Sequence, residues 1–284
     1  MNVVPDSDQL HRIANDDFEI LVSAATGRII RYAKIGGANV LWENPRALET
    51  PVVFPGWVNW GGDKVWIWPE EDWVKWNSAS QHPPGDPSTG PHQVEVDGLL
   101  LRMISPAIVG YGVRIIREIT LEPTSSRVTL VNRLEQVTAP AFSLPVGLWT
   151  VTQLPAAPTI LAHLSPDAEL PGYESFPGTS WPNVERDGCI VTLHRPATPW
   201  QKIGLDADQL TVRMGDHLFT AETPAALNAT VPHPRWRRAQ VFSDPDDSAF
   251  RLPEVPAYIE FEFTSPIQQL AVGESLSLTV TWSL

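Results

Sequence analysis

The chain is short of cysteine, of basic residues and of long apolar runs. Its one cysteine, Cys189, excludes an internal disulfide. The neighbouring GCIVTL predicts a buried strand and a structural thiol, not a nucleophile. Lysine and arginine number 20 against 33 acidic residues, for a formal net charge of −13. A surface of that sign repels polyanions, which argues against nucleic acid and anionic membranes while leaving room for one local basic pocket. No apolar run is long enough to cross a bilayer, and MNVVPDSDQLHR has no apolar stretch preceded by basic residues. Neither a membrane span nor a signal peptide is expected, and a cytoplasmic location follows. Without secretion, the glycosylation pattern at Asn228-Ala229-Thr230 is incidental. HxH, HExxH and paired-cysteine spacings are missing, as are a phosphate-cradling glycine loop and a serine nucleophile motif. The acidic run Asp244, Asp246, Asp247 lacks the glycine and terminal glutamate of a calcium loop, so it reads as a solvated loop. No metal and no cofactor are expected.

Helical periodicity is also missing, since no stretch holds a 3.6-residue apolar period for three turns. What recurs instead are short apolar or alternating runs between turn residues, in a chain with 28 prolines and 18 glycines. FEILVS (18–23), GRIIRYA (27–33), GLLLRMI (98–104), VRIIREITL (113–121) and RVTLVNR (127–133) read as strands. So do SLPVGLWTVTQ (143–153), CIVTLH (189–194), QLTVRM (209–214), AYIEFEFT (257–264) and SLSLTVTWS (275–283). Many strands with turns between them predict an all-β, antiparallel sandwich or barrel. The irregular segments are 77–92, 164–187 and 223–238. No repeat or composition break divides the 284 residues, so one domain spanning 1–284 is expected.

Tryptophan is abundant, and half of the chain's 12 fall in 20 residues: Trp57, Trp60, Trp66, Trp68, Trp73 and Trp76. Charges are interleaved with them in GWVNWGGDKVWIWPEEDWVKW. A wall that is flat, apolar and hydrogen-bonding at once suits a sugar, which has apolar C–H faces and polar rims. The competing reading is that these indoles plug the mouth of a barrel or sandwich. Asn59, Asp63, Lys64, Trp66, Trp68 and Trp73 are the candidate ligand-binding residues here. Gly61-Gly62 predicts a tight turn presenting Asp63 and Lys64, either to a ligand or as a surface ion pair. Trp66, Trp68 and Glu70 share a face if the chain is extended, with Pro69 ending the strand. A Glu70 desolvated by indoles would have a raised pKa and suit a general acid. The one dense basic patch, PHPRWRRAQ, offers Arg237 to an anionic group or lies solvated.

Both ends of the chain resemble the galactose-mutarotase-like superfamily, the large β-sandwich of the aldose epimerases. FEILVSAATGRIIRYAKIGGANVLWENP resembles its first hairpin, VRIIREITLEPTSSRVTLVNRLEQVTAPAFSLPVGLW its long central strands, and YIEFEFTSPIQQLAVGESLSLTVTWSL its closing pair. WVNWGGDKVWIWPEEDW looks more narrowly like the DUF4380 branch, a domain of unknown function. The resemblance implies a glutamate base that takes the anomeric proton and a histidine acid that protonates the ring oxygen. The base corresponds to Glu262 or Glu260 in YIEFEFTSP, with Glu262 preferred. The two share one face of a strand, with Phe261 and Phe263 on the other. The competing reading is a solvent-facing pair that keeps the sheet soluble. Trp149 stands where the histidine is expected, and an indole does not transfer protons at neutral pH. The acid must then come from elsewhere, with His82, His92 and Glu70 as candidates, or the epimerase chemistry is gone. In YGVRIIRE, where the superfamily carries a cleft-facing charge, Arg114 is favoured over Arg117. The implied ligand is a small-molecule carbohydrate. An epimerase, a non-catalytic sugar sensor, and lyase or hydrolase chemistry on paired carboxylates all remain open.

Overall fold

The computed structural model describes residues 9–47, 58–73, 91–169, 171–224, 237–248 and 251–284. Within them the regular secondary structure is almost entirely strand. In order these are β1 (Leu10–Ala14), β2 (Phe18–Ser23), β3 (Arg28–Lys34), β4 (Asp63–Trp68), β5 (Gln93–Asp97), β6 (Leu100–Ile104), β7 (Val113–Leu121), β8 (Val128–Gln136), β9 (Gly147–Pro155) and β10 (Thr159–Leu164). They continue with β11 (Tyr173–Ser175), β12 (Val184–Asp187), β13 (Ile190–His194), β14 (Gln201–Leu205), β15 (Ala207–Met214), β16 (His217–Glu222), β17 (Ala239–Ser243), β18 (Tyr258–Thr264) and β19 (Ser275–Ser283). No described helix is long and apolar enough to cross a membrane.

The strands form two large antiparallel sheets packed as a sandwich. One has nine strands in the order β1-β2-β3-β4-β9-β18-β17-β14-β11. The other has ten, in the order β12-β13-β10-β15-β16-β19-β8-β7-β6-β5. Alternation along each strand decides which side chains enter the core. Strand β8 buries every second residue, as expected for a sheet with one face in water. From the nine-stranded sheet Phe261, Phe263, Ile203 and Val241 point inward, and Phe219, Trp282 and Ile119 come from the other. Strands β4, β9 and β14 and most of β18 are different, because they are buried on both faces. The centre of the nine-stranded sheet therefore carries a second covering layer on the side away from the sandwich core.

Gly61 and Gly62 make the tight turn into β4, with φ of 86° and 74°. A Cβ there would meet the Trp42 and Ile29 carbonyl oxygens at 2.3 and 2.2 Å, so only glycine fits. The turn does not present Asp63 and Lys64 together, however. They are consecutive in a strand and face opposite sides. Asp63 enters the core and forms an ion pair with Arg117 of β7 across the sandwich. Thr152 Oγ1 donates to Asp63 at 2.8 Å, and Arg117 Nε donates to Asn132 Oδ1 at 3.1 Å. The expectation of a ligand-binding Asp63 is overturned by this pairing.

Arg114 is likewise corrected. It lies on the outer face of the ten-stranded sheet, half-exposed and paired with Glu135 at 2.9 Å. Neither arginine of β7 reaches the face that carries Glu262. Cys189 is exposed, not buried, because Gly188-Cys189 is the turn between β12 and β13. Asp244 departs from the expected solvated loop, being buried and paired with Arg251 at 2.7 Å, whereas Asp246 and Asp247 are exposed in a turn, with Asp246 2.7 Å from Arg195.

Candidate functional site

The face of the nine-stranded sheet turned away from the core gathers the polar residues. Register decides its membership. Glu260 lies opposite Gln153 on β9 and Phe242 on β17, and Glu262 lies opposite Val151 and Gln240. Phe242 in turn faces Lys202 on β14, and Gln240 faces Gly204. On β4, Lys64 lies opposite Val151 and Trp66 opposite Trp149. Opposite residues in a ladder point to the same side. Lys64, Trp66, Trp149, Gln153, Glu260, Glu262, Gln240, Phe242 and Lys202 thus share one surface.

Glu262 is the centre of this surface and is fully buried. Its Oε2 accepts hydrogen bonds from Trp149 Nε1 and from Lys202 Nζ, both at 2.7 Å. Its Oε1 has no hydrogen-bond partner among the described residues. Burial pushes the Glu262 pKa up to about 7, Lys202 and Trp149 work against that rise, and the neighbouring Glu260 carboxylate adds to it. A carboxyl poised there exchanges its proton at neutral pH. Lys202 is held as well as charged: its ammonium lies 4.5 Å from the centre of the Trp149 ring and 5.1 Å from that of Phe176.

A second lysine–glutamate pair lies beside the first. Lys64 Nζ is 3.5 Å from Glu260 Oε1 and 4.3 Å from the Trp66 ring centre, and Gln153 Nε2 donates to the same glutamate oxygen at 2.9 Å. Both glutamates are thus on one face, as alternation predicts. They are largely enclosed, which overturns the alternative of a solvent-facing pair: side-chain exposure is 13% for Glu260 and nil for Glu262.

The tryptophans form a packed wall and not an open platform. Trp66 meets Trp73 and Trp149 edge to face at 5.7 and 5.2 Å, and Trp73 stacks on Trp149 at 6.1 Å. Trp73 Nε1 donates to the Ile67 carbonyl, and Trp68 is fully buried. The rings of Trp66, Trp73 and Trp149 are spent on one another and Trp68 is enclosed, so none of these four offers a free face to a sugar.

Glu70 leaves the strand phase in a 3-10 turn, Glu70–Asp72, and is exposed. Surrounding protein raises its pKa. Lys202 opposes that rise, and Glu71 and Glu260 add to it. Asn59 is buried beside the Tyr258 hydroxyl, at the Glu260 end of β18. Arg237 packs over Gly204 and pairs with Asp206, so the basic patch is partly neutralised at this point. His82, Trp57 and Trp76 lie outside the described residues. His92 is buried against Gly27 and near Arg117, on the core side. Burial and Arg117 lower its pKa to about 4, so it is neutral at pH 7 and has no access to Glu262.

Sequence reasoning missed Lys202, Gln153, Gln240, Phe242 and Tyr258. Strands β14 and β17 are five residues each, next to proline-rich or irregular segments, and give little alternation to read. A faint signal existed in PWQKIGL, where Gln201 and Lys202 interrupt a short apolar run.

No family model matches the chain, and no curated protein matches it by sequence. Solved structures do match. A galactose mutarotase-like protein from Lactobacillus casei superposes with a TM-score of 0.61 at 10% identity, covering 96% of this chain and 99% of that one. A candidate aldose 1-epimerase from Escherichia coli K12 gives 0.60 at 16% identity, over 96% and 98%. A galactose mutarotase related enzyme from Lactobacillus acidophilus gives 0.56 at 8% identity, over 96% of both.

Proposed function

We propose, from the galactose mutarotase-like β-sandwich fold of the chain, a carbohydrate-handling protein of the aldose 1-epimerase-like kind, with Glu262 as its general base. The observation that carries this reading is the half-satisfied carboxylate. One oxygen of Glu262 is clamped by Trp149 and Lys202, while the other is buried and unpartnered among the described residues. A buried acceptor left unmet costs about 1–3 kcal/mol, and an incoming hydroxyl would relieve that cost.

In the reaction, Glu262 Oε1 takes the proton from the anomeric hydroxyl. The C1–O bond to the ring oxygen breaks as the carbonyl at C1 forms. Glu70, with its raised pKa, supplies the proton to the ring oxygen. After rotation about C1–C2 the steps reverse on the other face of the carbonyl, returning both protons. Each positioned group contributes about 10²–10⁴-fold. Trp149, in the place expected for a histidine, donates an N–H to the base and takes no part in proton transfer. Lys64 and Gln153, anchored on Glu260, would meet the remaining hydroxyls.

Trp149 is also the specific observation that favours a second reading, a sugar-binding module without turnover. Proton NMR exchange between anomers of hexoses, hexuronates and hexose phosphates separates the two. Accelerated exchange of one sugar, lost in Glu262→Gln and reduced in Glu70→Gln, supports the epimerase. Selective line broadening without exchange supports the binder. A panel with neither effect overturns the carbohydrate reading.

A further inference from the structure

Among the described residues, Trp200 is the one tryptophan on this face whose ring is turned to water. It immediately precedes β14 in phase with Lys202, so it belongs to the same side of the sheet. It is 44% exposed, yet it is fixed: its ring stacks on Phe242 at 6.2 Å with an interplanar angle of 30°. Phe242 packs on Tyr258 at 6.0 Å, and Tyr258 on Trp42 at 4.5 Å. Trp42, Tyr258 and Val255 form a small apolar cluster separate from the sandwich core, with Phe242 and Leu252 packed against it. An aromatic row therefore runs from buried Trp42 out to exposed Trp200.

That row ends where the polar surface opens. Glu262 and Gln153 are fully buried, whereas Glu260 and Phe242 are only partly buried, and both of the latter lie on the Trp200 side. Among the described residues, the partly exposed edge of this surface therefore lies at Glu260 and Phe242, beside Trp200. From Glu262, Trp200 lies two strands across, about 10 Å, and four residues along, about 13 Å. One sugar ring cannot reach both. A rigid, half-exposed indole beside a polar pocket costs little entropy to use as a contact surface, and its flat face suits the C–H face of a pyranose.

Building on the carbohydrate reading, we infer that Trp200 is the stacking platform of a second, outer sugar site, and that the ligand is a glycan of at least two rings with its terminal ring at Glu262. The outer ring lies on Trp200, and Glu260 and Lys202 line the passage between the two.

The test is binding of D-glucose, D-galactose and their α-1,4- and β-1,4-linked disaccharides, followed by calorimetry, to the wild type, Trp200→Ala, Trp200→Phe and Glu262→Gln. In the wild type one disaccharide should bind more tightly than its own monosaccharide by about fivefold or more, the worth of one aromatic contact. Trp200→Ala should erase that advantage and leave the monosaccharide affinity unchanged. Trp200→Phe, which keeps a ring, should restore part of it. Glu262→Gln should weaken both ligands. Equal binding of mono- and disaccharide to the wild type, or a disaccharide advantage that survives Trp200→Ala, overturns the outer site while the inner one stands. If no sugar binds, both readings fall.

Discussion

Replacing Lys202 by methionine removes the charge that faces Glu262 while keeping a long apolar stem between Trp149 and Phe176. The Glu262 carboxyl is fully buried with a pKa of about 7, and Lys202 both attracts and hydrogen-bonds its anion. An opposite charge at contact distance lowers a carboxyl pKa by about 1–3 pH units, so Lys202→Met should raise that of Glu262 by as much. The sign for stability follows. A folded pKa above the unfolded value of 4.5 means that the folded state keeps a proton the unfolded state has lost, so stability falls as pH rises through that window. In the wild type the fall ends near pH 7. In Lys202→Met it continues upward, costing a further ~1.4 kcal/mol for each added pH unit, or about 1.4–4 kcal/mol in all. Below pH 4.5 Glu262 is protonated in both proteins and in both states, so the variant carries no such penalty there. Urea unfolding of both proteins at intervals from pH 5 to pH 9 reads the difference directly, and carbon NMR of labelled glutamate gives the Glu262 pKa. Parallel stability curves, or an unmoved Glu262 resonance, would refute the argument that Lys202 holds the base in its anionic form.

Arg117→Met leaves Asp63 as an uncompensated buried carboxylate, and stability measured by urea unfolding should drop by about 3–5 kcal/mol. Adding Asp63→Leu should recover most of that loss, and full additivity of the two changes would contradict the pairing. His92, with a pKa lowered to about 4, binds its proton more weakly folded than unfolded. Its contribution is intact above pH 6.5 and is lost as pH falls through 4, amounting to about 3 kcal/mol. His92→Phe should flatten the acid limb of the stability profile, and an unchanged limb would place the acid sensitivity elsewhere.

The sequence by itself determined the class of fold and the orientation of residues within single strands. Alternation is a local property, so YIEFEFT alone puts Glu260 and Glu262 on one face and Phe261 and Phe263 on the other, and the register bears this out. Gly61-Gly62 marked its turn because no other residue fits the carbonyls it passes. Strands 18–23, 113–121 and 275–283 were legible because they are long or strongly alternating. Which sheet face becomes a site is not local. Asp63 and Lys64 are neighbours in sequence, but Asp63 belongs to the sandwich core, because Arg117 arrives from the opposite sheet to meet it. Lys202 and Glu262 are 60 residues apart, and only the pairing β18–β17–β14 sets one beside the other. The tryptophans were conspicuous as a group, yet whether an indole offers a free face depends on what packs against it. Trp66, Trp68 and Trp73 are spent on the wall, while Trp200, isolated in sequence, is the one among the described residues left exposed on this face, because burial is a property of the assembled layers and not of the residue.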